Sequence, residues 1–560
     1  MYVPVLPCLI FEDEHLLVVN KPAGLNTHAP SPYGGEGLYD WLKHREPRWA
    51  ELAIIHRLDK ETSGVMVFGK TPLANRSLTQ QFTERRVRKR YLLVTDRKGP
   101  LKPTTVKTRL TRLGDKYIAH PASPAQQCAE TRFFPTRLTA RVDEQQPEPG
   151  AGLKPRMYPM IEAIPLTGRT HQIRVQAAQL GFPILGDTLY GGSPASRVYL
   201  HAAELALGHP VSGESMEFEA PVDFSLPARA LLRCALIDQE CTNAYRLIHG
   251  ASDGRPDWYL DRLGDYLLSQ SEQPPSSQQR SELAERIRRP GFRAAYHKQL
   301  ARQVRTSEPV KMSPQVVCGE AAPSAFCIRE NGLQFELSFE EGYSVGLFLD
   351  QRENRRRLRS GHIAAGFPIC PKPEDQPDRS GQGPMSRRSL LNTFAYTCGF
   401  SVCAGSAGFR TTNLDLSRKY LEWGKRNFLL NKLDPGEHDF IHGDVFDWLR
   451  RLARKGRSFE VILLDPPTFS QSKESGTFRA EKDYGRLVTG AVRLLKANGT
   501  LFCSTNAAQW PPERFVGEVE SAIRKSARRI VQEHYVPQPP DFPIARGEPA
   551  HLKTVWLRID

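Results

Sequence analysis

The stretch "SLLNTFAYTCGFSVCAGSAGFRTTNLDLSRKYLEWGKRNFLL", residues 389 to 430, decides how the C-terminal part of this chain folds. A short apolar run, "SLLNTF", reaches a turn at Gly399 and a small-residue helix. A second run, "RTTNLDL", then leads into the amphipathic pattern "SRKYLEWGKRNFLLNKL". The rhythm continues with "DFIHGD", "VFDWLRRLARK", "FEVILLD", "YGRLVTGAVRLL" and "GTLFCST", read alternately as strand and helix. Repeated units of this length predict parallel strands joined by helices, an α/β doubly wound, Rossmann-like domain over residues 346–560.

Acidic residues stand where three of these strands end. A glycine turn at Gly399 followed by Asp415 at the next strand end is a general nucleotide signature: backbone approaches the ligand and the carboxylate accepts from ribose hydroxyls. Asp444, in "HGDVFDWL", is placed to accept from an adenine amino group, and "VILLDPPTFSQSK" closes the fourth strand with Asp465, Pro466 and Pro467. The G-x-G-x-x-G of dinucleotide binding is absent. Together these stretches resemble class I S-adenosylmethionine-dependent RNA methyltransferases, specifically the large-subunit rRNA group. That group also carries "GLFLDQREN" (Gly346 to Asn354) and, in a central domain, "NAYRLIHGASDGRPDWYLDR".

The resemblance implies S-adenosylmethionine as cofactor, held by Gly399, Asp415, Asp444 and Asp465, with "FLDQR" bordering it. It also implies a small α+β central domain at 227–345 that binds RNA, and substrate contacts from Pro466, Pro467 and Phe469. Cys398 departs from the pattern, since the turn more often has a second glycine there. Cytosine carbon-5 is a poor nucleophile and needs a cysteine to add to the ring first, for which Cys503 in "GTLFCSTN" is the available residue. Comparable cytosine enzymes align their cysteine with Thr505, which leaves Cys503 as a buried strand residue. Guanine N7 is already nucleophilic and unprotonated, so orientation suffices. "DPPTFSQSK" is similar to the guanine-N7 branch, and Thr468 is not the aromatic residue expected for an exocyclic amine.

The first 226 residues follow other rules. "HLLVVNK", "GVMVFGK", "RYLLVTD" and "PMIEAIPL" are short β-like runs punctuated by proline and glycine, which predicts an α+β domain on a mixed or mainly antiparallel sheet. Within it, "IIHRLDKETSGV" (Ile54 to Val65) sets Asp59 between Arg57 and Lys60, where a local ion pair is the ordinary reading. Three further stretches change that reading: "KRYLLV" (Lys89 to Val94), "LTGRTHQIRVQAAQLGFPILGDTLYGG" (Leu166 to Gly192) and "LHAAEL" (Leu200 to Leu205). In this order they resemble the RluA-type family of RNA pseudouridine synthases over nearly all of residues 10–226. The resemblance makes Asp59 the nucleophile or essential base, Tyr91 the aromatic residue against the target base, and Arg174 the cation paired with Asp59. Arg57, Arg169 and His171 are then expected to brace the loop or contact the RNA backbone, with no cofactor required. Some members carry an RNA-binding domain ahead of the catalytic part, whereas here "LIFEDEHLLVVNKPAG" enters it at once, so RNA affinity is expected from the C-terminal half.

Composition fits a polyanion partner. Lys plus Arg number 77 against 62 Asp plus Glu, a net charge of +15 in 560 residues, with dense runs at "TERRVRKRY", "RPGFRAAYHKQLARQVR" and "RENRRRLR" expected to track phosphate. Ten cysteines without a C-x-x-C pair predict neither a zinc site nor a disulfide framework, and hence a reduced, cytoplasmic protein. No membrane span or secretory leader is read from the sequence. Proline-rich "HPASPAQQ" and "DEQQPEPGAGLKP" are expected as surface loops, "SEQPPSSQQRSE" as a linker, and "HIAAGFPICPKPEDQPDRSGQGPMSRR" as an exposed insertion. The chain is thus expected to be multidomain, with a synthase at 1–226, a central RNA-binding part at 227–345 and a methyltransferase at 346–560. It would act on 23S rRNA or a precursor, with no membrane or metal. Two rivals stand beside this reading: cytosine-5 methylation through Cys503, and an RNA-binding ribosome-assembly factor with one or both sites inactive.

Overall fold

The computed structural model describes residues 6–34, 37–122, 128–143, 155–300, 313–341, 344–371, 388–472, 476–544 and 550–560. The chain separates into two compact units, Met1–Pro30 with Glu36–Leu42 and Glu51–Asp238, and Ser31–Gly35 with Lys43–Ala50 and Gln239–Asp560.

In the first unit, eleven strands among the described residues form one sheet. An interior strand, Ser63–Gly69, is buried at every position, because "SGVMVFG" is apolar on both faces and small at its ends. This strand runs antiparallel to Leu16–Lys21 and parallel to Leu200–Gly208, the sheet's single parallel pairing among the described residues. Gly64 must be glycine: its φ is +120°, and a Cβ there would lie 2.1 Å from the Ala202 carbonyl oxygen. Helix Gln172–Gln179 is fixed to the sheet by two buried glutamines. Gln176 donates to Thr108 and to the Ala129 carbonyl and accepts from Thr131, while Gln172 donates to the Glu130 carbonyl and to Thr131. Buried amides stabilise a structure only when their donors and acceptors are matched, so this network fixes the helix in rotation as well as position.

Two large sheets of different design make up most of the second unit, beside three two-stranded pairs among the described residues. The smaller has five strands in sequence order, Ala244–His249, Tyr259–Leu263, Tyr266–Ser271, Ala294–Gln299 and Gln315–Gly319. Helix Ser277–Ile287 crosses between the third and fourth, which are parallel. "SEQPPSSQQRSE", expected as a flexible linker or loop, is loop only up to Ser276, and its second half is helix. Ser276 and Gln279 form a reciprocal capping box that starts this helix, so a serine- and glutamine-rich composition conceals a helix signal. The larger sheet has seven strands in the order Asp439–His442, Arg410–Asp415, Ser389–Thr393, Phe459–Leu464, Leu495–Thr505, Lys553–Ile559 and Ile530–Pro537. The first five are parallel and the last two antiparallel. Strand order reverses beside Ser389–Thr393, the place where ligands bind in such sheets.

Two further expectations are corrected. The start of the supposed exposed insertion is core: Ile363, Phe367, Ile369 and Cys370 are buried, and His362–Ala364 pairs with Phe367–Pro368. Its remainder, like most of "HPASPAQQ" and "DEQQPEPGAGLKP", lies outside the described residues. "RENRRRLR" is not a phosphate-facing run either, because helix Arg352–Ser360 buries Arg352, Arg355, Arg356 and Arg357. Each is matched inside: Arg352 to Asp541 at 2.6 Å, Arg355 to Glu330 at 2.6 Å, Arg356 to Glu353 at 3.0 Å, and Arg357 to the Ile363 carbonyl at 3.0 Å. "TERRVRKRY" is partly neutralised, since Arg88 and Arg90 both bind Glu204.

Removing one member of a buried pair strands the other charge, which costs about 3–5 kcal/mol. Arg355→Ala is expected to destabilise the second unit by that amount, seen in urea titration as an earlier loss of that unit's transition with the first unit's unchanged.

Candidate functional site

In the first unit, Asp59 lies on the loop between the strands Ala53–Ile54 and Ser63–Gly69, at the wall of a cleft of about 840 Å³. The loop is tied down by Lys21, whose buried Nζ donates to the carbonyls of Pro22, Lys60 and Thr62 at 3.0, 3.2 and 2.8 Å. Burial lowers that ammonium to about 7. Arg174, on the glutamine-fixed helix, brings Nη1 to 3.7 Å from Asp59 Oδ2. Its main partner is a residue that sequence reasoning passed over. Asp187, fully buried, accepts from Arg174 Nε and Nη2 at 2.7 and 2.8 Å in a bidentate pair. Asp187 sits in the "GDTLYGG" stretch, and its signal was an acid just before a tight 3₁₀ turn, Thr188–Tyr190.

His171 precedes the same helix with φ +55° and points Nε2 at Asp59 from 4.0 Å. The Tyr117 backbone N–H donates to the Tyr190 hydroxyl at 2.9 Å, and the same hydroxyl is hydrogen-bonded to His171 Nδ1 at 2.7 Å. Burial, with help from Arg174, keeps the imidazole below its usual range and hence neutral near pH 7. Arg57 reaches Thr170 at 3.2 Å on the cleft wall, with Arg197 also lining it. Tyr91 and Arg169 are not among the described wall residues. Tyr91 stands on strand Arg88–Val94 close enough that ionised Asp59 adds to burial in raising its phenol, which stays protonated.

In the second unit, the carboxyl ends of the central strands surround a narrow cleft lined by Phe394, Asp415, Asp444, Phe446, Phe478 and Arg486. Asp415 accepts from the backbone N–H groups of Tyr396 and Ser417, both at 2.8 Å, which fixes the loop after strand Ser389–Thr393. Burial raises its carboxyl. That loop carries three non-glycine residues at positive φ: Phe394 at 57°, Tyr396 at 48° and Cys398 at 62°. Cys398 thus occupies a left-handed position suited to glycine, and Gly424 faces it so closely that a Cβ would stand 2.4 Å from its sulfur. Gly399 opens helix Gly399–Ser406, where a Cβ would come within 2.8 Å of Leu347. Asp444 caps helix Val445–Arg454, accepting from the N–H groups of Phe446 and Asp447.

Asp465 is raised to about 6 by burial, against hydrogen bonds from Ser504 and Gln351. Gln351, also missed as an individual residue, donates to both Asp465 oxygens at 3.2 Å and to Ser504 at 2.8 Å. Pro466 is buried, Pro467 exposed, and Phe469 begins a hairpin strand with its ring 40% exposed. A strained loop, a helix start stripped of side chain and carboxylates at successive strand ends suit a nucleoside with a cationic tail. Cys503 is elsewhere: it is fully buried in the middle of the sheet, paired with Leu464 and Val555, and burial holds its thiol protonated. No helix is long and apolar enough to cross a membrane among the described residues.

Family models match both halves. Residues 15–179 match RNA pseudouridylate synthase, and residues 378–558 match S-adenosylmethionine-dependent methyltransferase. A ribosomal RNA large subunit methyltransferase of Deinococcus radiodurans is 31% identical over 64% of this chain and 82% of its own. Ribosomal RNA large subunit methyltransferase K of Neisseria meningitidis is 34% identical over 38% of this chain and 53% of its own. Among solved structures, human RNA pseudouridylate synthase domain containing 1 is 25% identical with a TM-score of 0.32, covering 42% of this chain and 92% of that one.

Because Asp465 in the folded chain holds its proton to about 6, against 3.8 ordinarily, the folded state binds a proton more tightly than the unfolded one. Stability contributed by the protonated form is present below about pH 4 and is lost as pH rises toward 6. Asp465→Asn is therefore expected to raise the melting temperature at pH 8 and leave it near wild type at pH 4, measured by thermal unfolding across that range.

Proposed function

Since the chain belongs to the family of ribosomal RNA large subunit methyltransferases and joins to it an RluA-type pseudouridine synthase domain, we propose one bifunctional, cytoplasmic enzyme of large-subunit rRNA. Its N-terminal site isomerises uridine to pseudouridine, and its C-terminal site methylates guanine at N7. The observation that carries the first assignment is the charge relay of position: Asp187 holds Arg174, and Arg174 stands 3.7 Å from Asp59.

Isomerisation breaks the C1′–N1 bond, turns the uracil, and joins C5 to C1′, with the C5 proton released as N1 regains one. Atoms balance, so the step calls for a carboxylate, a way to hold the base, and nothing consumed. A carboxylate covered by a flipped base loses hydration and tends to protonate, and a fixed guanidinium opposes this. Arg174 serves that purpose well because Asp187 prevents it from swinging fully onto Asp59, leaving the nucleophile's oxygen available. The neutral His171, with Nε2 4.0 Å from Asp59, adds no charge to the site. Tyr91 remains the candidate for contact with the base from below, and Arg57 and Arg169 for contact with the backbone.

In the second site, Gly399, Asp415, Asp444 and Asp465 would hold S-adenosylmethionine, which supplies the methyl group when bound. Guanine N7 carries a lone pair and no proton, so the chain has only to align it and keep water out. Pro466, Pro467 and Phe469 border that place. The buried, protonated Cys503 supports this over cytosine-5 chemistry. The segment 239–345, which shares its unit with the methyltransferase, is proposed to contribute RNA binding.

Full-length protein incubated with precursor rRNA and labelled S-adenosylmethionine should yield pseudouridine and 7-methylguanine by nucleoside mass spectrometry. Asp59→Asn should remove pseudouridine alone. Asp187→Ala should lower the pseudouridylation kcat by about 10–100-fold with KM little changed, because a released Arg174 misplaces Asp59 rather than the RNA. Recovery of neither nucleoside from any rRNA fragment would refute the proposal.

A further inference from the structure

A second, larger cavity in the same unit, of about 550 Å³, belongs to neither of the sites above. One wall comes from the five-stranded sheet and the other from the segment Ser344–Asp350, with Phe542 and His551 between. Most of the sheet wall is already satisfied. Arg246 donates to Asp261 at 2.5 and 3.2 Å, and its guanidinium lies over Tyr259 at 5.2 Å and Phe542 at 4.7 Å. That cluster is a hydrogen-bonded backing to the cavity.

The opposite wall differs. Phe348 is 46% exposed, a large apolar ring at the cavity's edge, in contact with Tyr396 of the strained loop at 5.4 Å. Two residues on, Asp350 turns a carboxylate with 18% side-chain exposure toward the cavity, held by His551 at 3.3 Å. The next residue is Gln351, bonded to Asp465. A single short segment therefore joins an exposed aromatic face, a partly solvated carboxylate and the Asp465-Pro466-Pro467 strand end. An aromatic face with one aimed acceptor is what recognition of an unstacked base requires.

We infer that this cavity receives the acceptor base, with Phe348 stacking on it and Asp350 accepting from its Watson–Crick edge. Resting on the guanine reading above, the assignment has a chemical reason. Guanine presents two adjacent donors on that edge, N1–H and the 2-amino group, which match the two oxygens of one carboxylate. Adenine, cytosine and uracil each present one donor there. Reading guanine by this edge also leaves N7, on the opposite side of the base, unblocked. Phe348 and Asp350 thereby select the acceptor.

The test uses full-length protein, a synthetic rRNA fragment that the wild type methylates, and labelled S-adenosylmethionine. Asp350→Asn should lower kcat/KM for methyl transfer about 10–100-fold, as expected for a hydrogen bond to a charged group. The pseudouridine yield should stay within about twofold of wild type. Replacing the target guanosine by inosine, which lacks the 2-amino group, should cost the wild type about tenfold and Asp350→Asn no further loss. Phe348→Ala should lower the rate similarly and Phe348→Trp restore it, which separates stacking from misfolding. Guanine methylation at wild-type rate in both Asp350→Asn and Phe348→Ala, or wild-type indifference to inosine, overturns the pocket while leaving the proposed function intact. Methylation of a different base, or of none, overturns the guanine reading and the edge recognition built on it.

Discussion

The buried guanidinium groups of Arg174, Arg352, Arg355, Arg356 and Arg357 all share their charge, and both candidate sites depend on how it is shared. Removing an ionised group from water costs far more than folding has to spare unless an opposite charge or several hydrogen bonds replace the lost hydration. At Arg174 the guanidinium gives its two best donors to Asp187 and only its third corner to Asp59. Asp59 consequently has a cation nearby and an oxygen not consumed by it. At helix Arg352–Ser360 the rule is applied to a whole surface: four arginines enter the interior, each with an acceptor inside. The same segment begins with Phe348 and Asp350 and carries Gln351 to Asp465, so its internal charges fix the register of the residues that face the cavity.

Periodicity made most of the fold legible. The βα alternation after Ser389 matches the observed parallel strands, and the short apolar runs of the first half match strands of the mixed sheet. What the sequence hid follows from one-dimensional ambiguity. A run such as "RENRRRLR" reads as solvated because the acids that neutralise it, Glu330 and Asp541, come from elsewhere in the chain. Proline and glycine in "HIAAGFPIC" suggest exposure, yet a hairpin of a few residues can be core when its apolar side chains find a hydrophobic surface. Serine and glutamine at 276–279 look like linker until their spacing is read as a cap.

The candidate site residues were legible where a motif is contiguous and less so where geometry divides a function. Asp59, Arg174 and His171 come together at one cleft, and Asp415, Asp444 and Asp465 stand at successive strand ends. Asp187 and Gln351 were passed over because each acts on another side chain, and nothing in their own neighbourhood announces the partner. Tyr91 and Arg169 show the converse: motif position identifies them, while the described cleft wall omits them.

The parallel pairing of Ser63–Gly69 with Leu200–Gly208 bears on biosynthesis. Ser63 hydrogen-bonds His201, a partner 138 residues later, and the strand that follows the Asp59 loop has no complete neighbourhood before that partner emerges. At about 5–20 residues per second, a ribosome takes on the order of ten seconds to cover that interval. During it, the Ser63–Gly64 end of the apolar "SGVMVFG" lacks its second neighbour, an unfinished sheet edge of the kind that chaperones recognise. A synthase site assembled from Asp59, Arg174 and Asp187 is therefore completed only once His201 has been made, before most of the methyltransferase half exists.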